Sequence, residues 1–251
     1  MIVILGCGPA GLLAAHAAAL DGKEFVVYSK EKEKSVLSGA QYLHARIPHI
    51  TGSPALPAFE IEYRKVGTRS GYAKKVYGDE NADCSWALFP KGRVIAWSMS
   101  DLYETLWERY SGAIREATIG PPEVREILRT GATVLSSIPR PSLCSQGCEF
   151  RSATVRYVDE SPLPGPANVI LYSGRPEDRF YRTSIIRGFE STEFERGALA
   201  PELADRTGRK PTGHSCGCRT EPNFFPIGRF GKWKKGVLVH DAFEDARRVI
   251  R

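Results

Sequence analysis

The 251-residue chain is 42% hydrophobic and 25% charged, which excludes a disordered chain and allows a sizeable core in one large domain or two interlocked ones. No apolar run approaches the ~20 residues that span a bilayer, and Met1 already opens a core strand, so the expectation is a cytoplasmic protein without membrane partner or cleavable leader, its six cysteines reduced, metal-bound or catalytic. The formal charge of +6 suits phosphate-bearing ligands and leaves nucleic acid open as a partner, although the basic residues are spread rather than gathered in one run.

Met1 to Leu5 is an apolar, β-branched run followed at once by Gly6-Cys7-Gly8-Pro9-Ala10-Gly11, and Leu12 to Leu20 is Ala-rich without a breaker. Strand, glycine turn and helix form the context in which G-x-G-x-x-G reads as a dinucleotide fingerprint. Gly6 permits the tight turn, Gly8 lets backbone approach a pyrophosphate, and Gly11 lets the helix lie close to the strand. Pro9 and Ala10 open the helix, whose free amides and positive dipole end favour phosphate.

Glu24 to Tyr28 reads as the second strand. An acid usually closes that strand and binds the ribose hydroxyls; here the position is Ser29, followed by Lys30. A Ser-Lys pair also suits a 2′-phosphate, which keeps NADP as a rival to FAD at this point, and Glu31 is near enough in sequence to reach back. The charged run 31–34 is a solvated loop. Gly39, Ala40 and Gln41 follow, a small-residue stretch placed to lie over a cofactor; His44 and His49 are loop or core histidines as readily as site residues.

Residues 52–85 are rich in Gly, Pro, Lys and Tyr, with 61–63 and 73–77 expected as short strands of an excursion from the nucleotide unit. Ser100 to Tyr110 repeats Leu102, Leu106 and Tyr110 on one helical face. Pro121-Pro122 opens a helix through Leu128, and 132–138 is a buried strand expected to rejoin the parallel sheet. From Phe150 the pattern alternates: 152–158, 168–172 and 180–187 read as an antiparallel layer. Residues 197–222 read as loop, 224–228 as a last strand and 237–249 as a terminal helix. The resulting division places 1–51, 90–140 and 220–251 in a discontinuous nucleotide-binding unit, and 52–89 with 141–219 in a substrate-covering β layer.

The tail Gly228-Arg229-Phe230-Gly231-Lys232-Trp233 runs on through Gly236, Val237 and Leu238 to the helix. With Phe150-Arg151-Ser152, Asn168 to Tyr172, Tyr181 to Arg187 and the N-terminal G-C-G-P-A-G, it resembles UDP-galactopyranose mutases and, more loosely, the flavin amine oxidase group. The resemblance implies an α/β fold: an FAD-binding Rossmann-like (GR2-type) parallel sheet with an inserted antiparallel β-sheet substrate layer. It implies FAD as cofactor, with the final helix aimed at the flavin pyrimidine ring, so Gly228, Arg229, Gly236, Val237 and Leu238 join the cofactor set. Arg151, Tyr181, Arg182 and Arg187 become contacts for an anionic substrate. Ser184 stands where the family's strand carries its diphosphate-binding arginine, with Arg182 or Arg187 as the substitute. The chain also leaves little room for the family's helical substrate domain.

Cys144-x3-Cys148 follows the third sheet strand, and His214-x-Cys216-x-Cys218 precedes the last. Four thiolates from loops on neighbouring strands suit a tetrahedral Zn²⁺, with His214 as an alternative ligand; unrelated reduced cysteines and a redox dithiol are the competing readings. Cys7 and Cys84 read as structural. A single dinucleotide fingerprint argues against a pyridine-nucleotide disulfide reductase. The function expected is an FAD-dependent oxidoreductase acting on a small polar or nucleotide-like substrate. A mutase-like isomerase, a nucleic-acid-modifying flavoenzyme and a non-catalytic flavin-binding module are the alternatives.

Overall fold

The computed structural model describes residues 1–84, 92–165, 168–195, 197–198, 201–216, 218 and 221–251. Two sheets organise them. The smaller is all-parallel, in the order β13-β7-β1-β2-β6: Phe224–Pro226, Thr133–Ser136, Ile2–Leu5, Phe25–Ser29 and Ile114–Glu116. Alternation along β1 decides what each face packs against. Ile2 and Ile4 share a core with helices α1 (Pro9–Leu20), α3 (Met99–Tyr110) and α6 (Asp241–Ile250), while Val3 and Leu5 meet Val124 of α4 (Pro121–Arg129) on the other face. Buried on both faces, β1 reads as a continuous apolar run, as parallel strands do. The strand at 132–138 does rejoin this sheet, between β1 and the last strand.

The larger sheet has eight strands in the order β12-β8-β11-β10-β9-β4-β5-β3. They are Arg206–His214, Phe150–Val158, Phe189–Glu195, Arg182–Ile186, Val169–Gly174, Phe59–Gly67, Gly92–Ser98 and Tyr42–Leu43. It is mixed rather than purely antiparallel, because β4 runs parallel to β9. Gly92–Ser98 and Tyr42–Leu43, read from sequence with the nucleotide unit, pair within this larger sheet.

Three expectations are corrected. Residues 73–77, expected as strand, lie in helix α2 (Arg69–Tyr77); the Thr68 hydroxyl accepts from the Gly71 amide at 3.0 Å and Gly78 closes the helix at φ 73°. These are cap signals that outweigh the β-leaning Val76 and Tyr77. Residues 206–214, expected as loop, form the edge strand β12, whose register shifts between Pro211 and Gly213. An edge position tolerates the proline because its missing amide need not pair. The last strand, expected over 224–228, ends at Pro226, and Gly228–Lys232 forms the short helix α5, ended by Trp233 in the left-handed region at φ 48°. Among the described residues no helix is long and apolar enough to cross a membrane.

Candidate functional site

The N-terminal turn is built for close approach. Gly6 takes φ 96°, which disfavours any side chain, and a Cβ on Gly11 would stand 1.8 Å from the Gly6 carbonyl oxygen. At Gly8, by contrast, a Cβ would meet only the Ser35 hydroxyl, at 3.7 Å. Gly8 therefore leaves space above the start of α1, while Gly6 and Gly11 are fixed by packing. The C-terminal turn lies against this one: a Cβ on Gly228 would come within 2.9 Å of the Ala10 Cβ, and one on Gly231 within 2.2 Å of the Ser136 carbonyl oxygen. The two glycine segments thus form one surface, although 217 residues separate Gly11 from Gly228.

Side chains tie the loop after β2 to this surface. Cys7 Sγ donates to Ser29 Oγ at 3.2 Å and faces the Glu31 and Glu33 carbonyls at 3.6 Å. The Tyr103 hydroxyl donates to the Cys7 carbonyl at 3.1 Å and accepts from the Ser35 amide at 2.9 Å. Lys30 lies outside, paired to Glu31 at 3.6 Å. Gln41 is buried, its amide on the Leu37 carbonyl. Gly39, at φ 79°, lies beside Glu193 and Arg182, where a Cβ would meet them at 2.7 and 3.3 Å, and Ala40 packs against the core of the larger sheet. At the other turn, Arg229 Nε donates to the Val237 carbonyl at 3.1 Å and the Leu238 amide donates to Asp241 at 2.7 Å.

Between the larger sheet and Gly236 and Leu238 opens a cavity of about 1010 Å³. One wall is phenolic. Tyr42, Tyr63, Tyr72, Tyr172 and Tyr181 reach it from β3, β4, α2, β9 and the approach to β10. Tyr42 and Tyr63 share a 2.6 Å hydrogen bond, and the rings of Tyr63 and Tyr172 stack at 6.1 Å. Burial pushes Tyr63 up to about 12 and Tyr42, Tyr72 and Tyr181 beyond the ordinary phenol range, so these groups keep their protons at neutral pH.

Cations share this lining. Lys75, Arg182, Lys210, Arg229 and Lys235 line the cavity, against Glu195 as the acidic lining residue among those described. Behind them Glu193, 1% exposed, receives both Arg182 and Lys210 and accepts from the Tyr181 hydroxyl at 2.7 Å. Burial alone would raise the Glu193 carboxyl; Arg182 and then Lys210 reverse that and hold it at about 2. Burial lowers Lys210 to about 8, Glu193 pulling upward and Arg182 pushing down with it, and burial likewise lowers Lys235 to about 8. Glu193 neutralises one of two cations, so the cluster keeps positive charge for a ligand. Lys210 also donates to the Tyr181 hydroxyl at 3.3 Å, giving a proton-bearing chain at the cavity edge. His44, next to Tyr42 and His240, is lowered to about 4 by burial and then by His240, so it is neutral. The His240 Nδ1 is buried without a hydrogen-bond partner among the described residues.

Of the substrate contacts read from sequence, Tyr181 and Arg182 line the cavity. Arg151 and Arg187 are not among its lining residues: Arg151 is exposed beside Glu149, and Arg187, at φ 51°, pairs with Asp101 at 3.1 Å. Ser184 is buried, its hydroxyl facing the Ser191 carbonyl at 3.5 Å, so Arg182 rather than Arg187 reaches the cavity near that position. Lys210, Glu193, Lys235 and the other tyrosines were missed. Lys210 lies in the stretch read as loop; the tyrosines converge from separate elements and share no local motif. Cys144, Cys148, Cys216 and Cys218 do come together, their sulfurs within 4.8 Å of one another, while the His214 ring accepts the Cys216 amide at 3.1 Å.

No protein-family model matches the chain, and no curated protein sequence matches it. Solved structures do. The chain is similar to a reduced UDP-galactopyranose mutase at 12% identity, covering 99% of this chain and 94% of that one, with a TM-score of 0.54. It is similar to a flavin-dependent halogenase from Brevundimonas sp. BAL3 at 12% identity, with 99% and 70% covered and a TM-score of 0.53. A geranylgeranyl bacteriochlorophyll reductase-like protein from Thermoplasma acidophilum, also at 12% identity, gives 99%, 76% and 0.54. These likenesses show the fold alone: a Rossmann-like parallel sheet, here joined to a second β layer.

Proposed function

We propose that this chain is an FAD-dependent enzyme, an oxidoreductase by reaction class, acting on a small anionic substrate held in the tyrosine- and lysine-lined cavity. The observation that carries the reading is the juxtaposition of that cationic cavity with Gly236 and Leu238 of the C-terminal turn, which packs through Gly228 on the N-terminal glycine turn. FAD fits the residues present. The open backbone at Gly8 leaves room for a pyrophosphate, Ser29 would offer the ribose a hydroxyl, and the C-terminal turn packs on the start of α1 through Gly228 and Ala10. Bound FAD would supply the redox chemistry at the cavity, and the fold relatives named as flavin-dependent support that assignment.

The chain's own groups then bind and orient. Arg182, Lys210 and Arg229 attract phosphate or carboxylate, and their charge acts in a partly water-excluded site where it counts for more than at the surface. The phenols of Tyr42, Tyr63 and Tyr181 stay protonated; Tyr181 gives its proton to Glu193, and the hydrogen-bonded Tyr42–Tyr63 pair keeps one proton to donate to a ligand without adding charge. Lys210 and Lys235, both lowered to about 8 by burial, are the cavity-lining groups that can exchange a proton near neutral pH. A mutase-type isomerisation has Arg182 in its favour, as a cation at the cavity near the Ser184 position.

Titration with uridine diphosphate and with inorganic pyrophosphate tests the reading, monitored by the flavin difference spectrum. Saturable binding that weakens with salt is expected, with about tenfold or greater loss in Lys210→Met or Arg229→Met. Anions that leave the spectrum unchanged, or a neutral nucleoside that binds as well, would contradict it.

A further inference from the structure

We propose that Cys144, Cys148, Cys216 and Cys218 hold a single zinc ion as a tetrathiolate centre, which fastens two of the crossings between the sheets, β7 to β8 and β12 to β13. The geometry points to one ion. Sulfurs of a tetrahedral Zn²⁺ site with bonds of ~2.3 Å lie about 3.8 Å apart, and here Cys144 stands 3.6 Å from Cys218 and 4.0 Å from Cys216, with Cys148 3.6 Å from Cys218. All four are free thiols at separations far beyond the ~2.05 Å of a disulfide. A cluster with several irons would hold its cysteines farther apart than a single ion does. Four half-buried thiols whose sulfurs lie within 4.8 Å of one another make only weak S–H···S contacts, whereas one cation could be ligated by each of them as thiolate.

The topology explains what the ion would do. Cys144 follows β7 and Cys148 precedes β8, so this pair sits where the chain leaves the parallel sheet for the larger one. Cys216 and Cys218 follow β12 and precede β13, where it returns. β8 and β12 are paired, with His214 opposite Phe150, and β7 and β13 are paired in the other sheet. The ion would therefore join two crossings that run in opposite directions between the sheets. From there Phe150 touches the rings of His214 and Trp233, and the Trp233 indole donates to the Arg151 carbonyl at 3.0 Å. Trp233 closes the short helix that begins at Gly228, so the centre also braces the C-terminal glycine turn. His214 is left outside the ligand set, since its Nδ1 is taken by the Cys216 amide.

The proposal concerns metal content and thiol chemistry, which are read independently of flavin or turnover. Elemental analysis of the full chain purified without added metal should give one zinc per chain, and X-ray absorption should show four sulfur neighbours near ~2.3 Å. Titrating the wild-type protein with a mercurial should release that zinc as four thiols react, and the thermal midpoint should fall by about 5 °C or more. Cys216→Ser should bind substoichiometric zinc; if that variant does not fold, the wild-type titration carries the test alone. Metal-free protein with four freely reacting thiols, a disulfide between any two of them, iron in place of zinc, or nitrogen and oxygen ligands would each overturn the assignment.

Discussion

At the scale of single residues, the glycines of the N-terminal turn separate folding from binding. Gly11→Ala puts a Cβ against the Gly6 carbonyl at a distance no repacking can absorb, so loss of soluble folded protein is expected. Gly8→Val adds its methyls where only Ser35 is near, so the circular dichroism should stay native while FAD retention is lost. A Gly8→Val protein that keeps its flavin would contradict the pyrophosphate assignment. Glu193 gives a pH signature. Its carboxyl is held at about 2 against an ordinary 4.5, so its contribution is complete above pH 4.5 and disappears as pH falls toward 2. Lys210 acts oppositely: with a native value near 8 and an ordinary 10.5, its buried charge weighs against folding below pH 8, and stability rises between pH 8 and 10.5. Glu193→Gln should lower the thermal midpoint at neutral pH, because Arg182 and Lys210 lose their counter-charge, and should flatten the acid limb between pH 4.5 and 2. An unchanged acid limb would show that other carboxylates govern it.

At the scale of elements, the docking of α2 depends on two glycines, Gly71 and Gly174. A Cβ on Gly71 would lie 2.1 Å from the Gly174 carbonyl oxygen, and one on Gly174 would lie 1.9 Å from that of Thr68. Gly71→Ala should therefore cost about 1–3 kcal/mol, roughly 2–12 °C in thermal midpoint, and should weaken anion binding, because Tyr72 and Lys75 of this helix and its cap Gly78 line the cavity. Wild-type stability in that variant would mean that α2 docks otherwise. This helix also shows where sequence reading stops. β1, the glycine turn and α1 are local, and their periodicity and breakers announce them without help from the rest of the chain. The 73–77 segment has weak strand chemistry, and its fate is decided by Thr68, Gly78 and glycine contacts to β9. β12 carries Arg, Lys, Gly and Pro rather than alternating apolar residues, so only pairing with β8 reveals it, and Lys210 was hidden with it. Arg182 opens the strand in the stretch that carries the family resemblance and Tyr181 immediately precedes it, so both stood in a segment readable as strand. Arg187 sits one residue past that strand's end, in a turn that sends it to Asp101.

At the scale of the whole molecule, two sheets and two distant glycine turns converge on one surface, and the cationic cavity adjoins it. If this arrangement binds FAD rather than NADP, Ser29 is the position that distinguishes them. Ser29→Glu adds an ionised acceptor for the ribose hydroxyls of FAD but repels a 2′-phosphate, so FAD affinity should hold or improve while any NADP affinity falls at least about tenfold; the reverse order would make NADP the ligand. The account rests most directly on the absorption spectrum of the purified chain. A flavin spectrum with close to one FAD released per chain on denaturation is the expected result. Protein that carries no flavin absorbance, and gains none when the folded chain is incubated with FAD, would contradict the account.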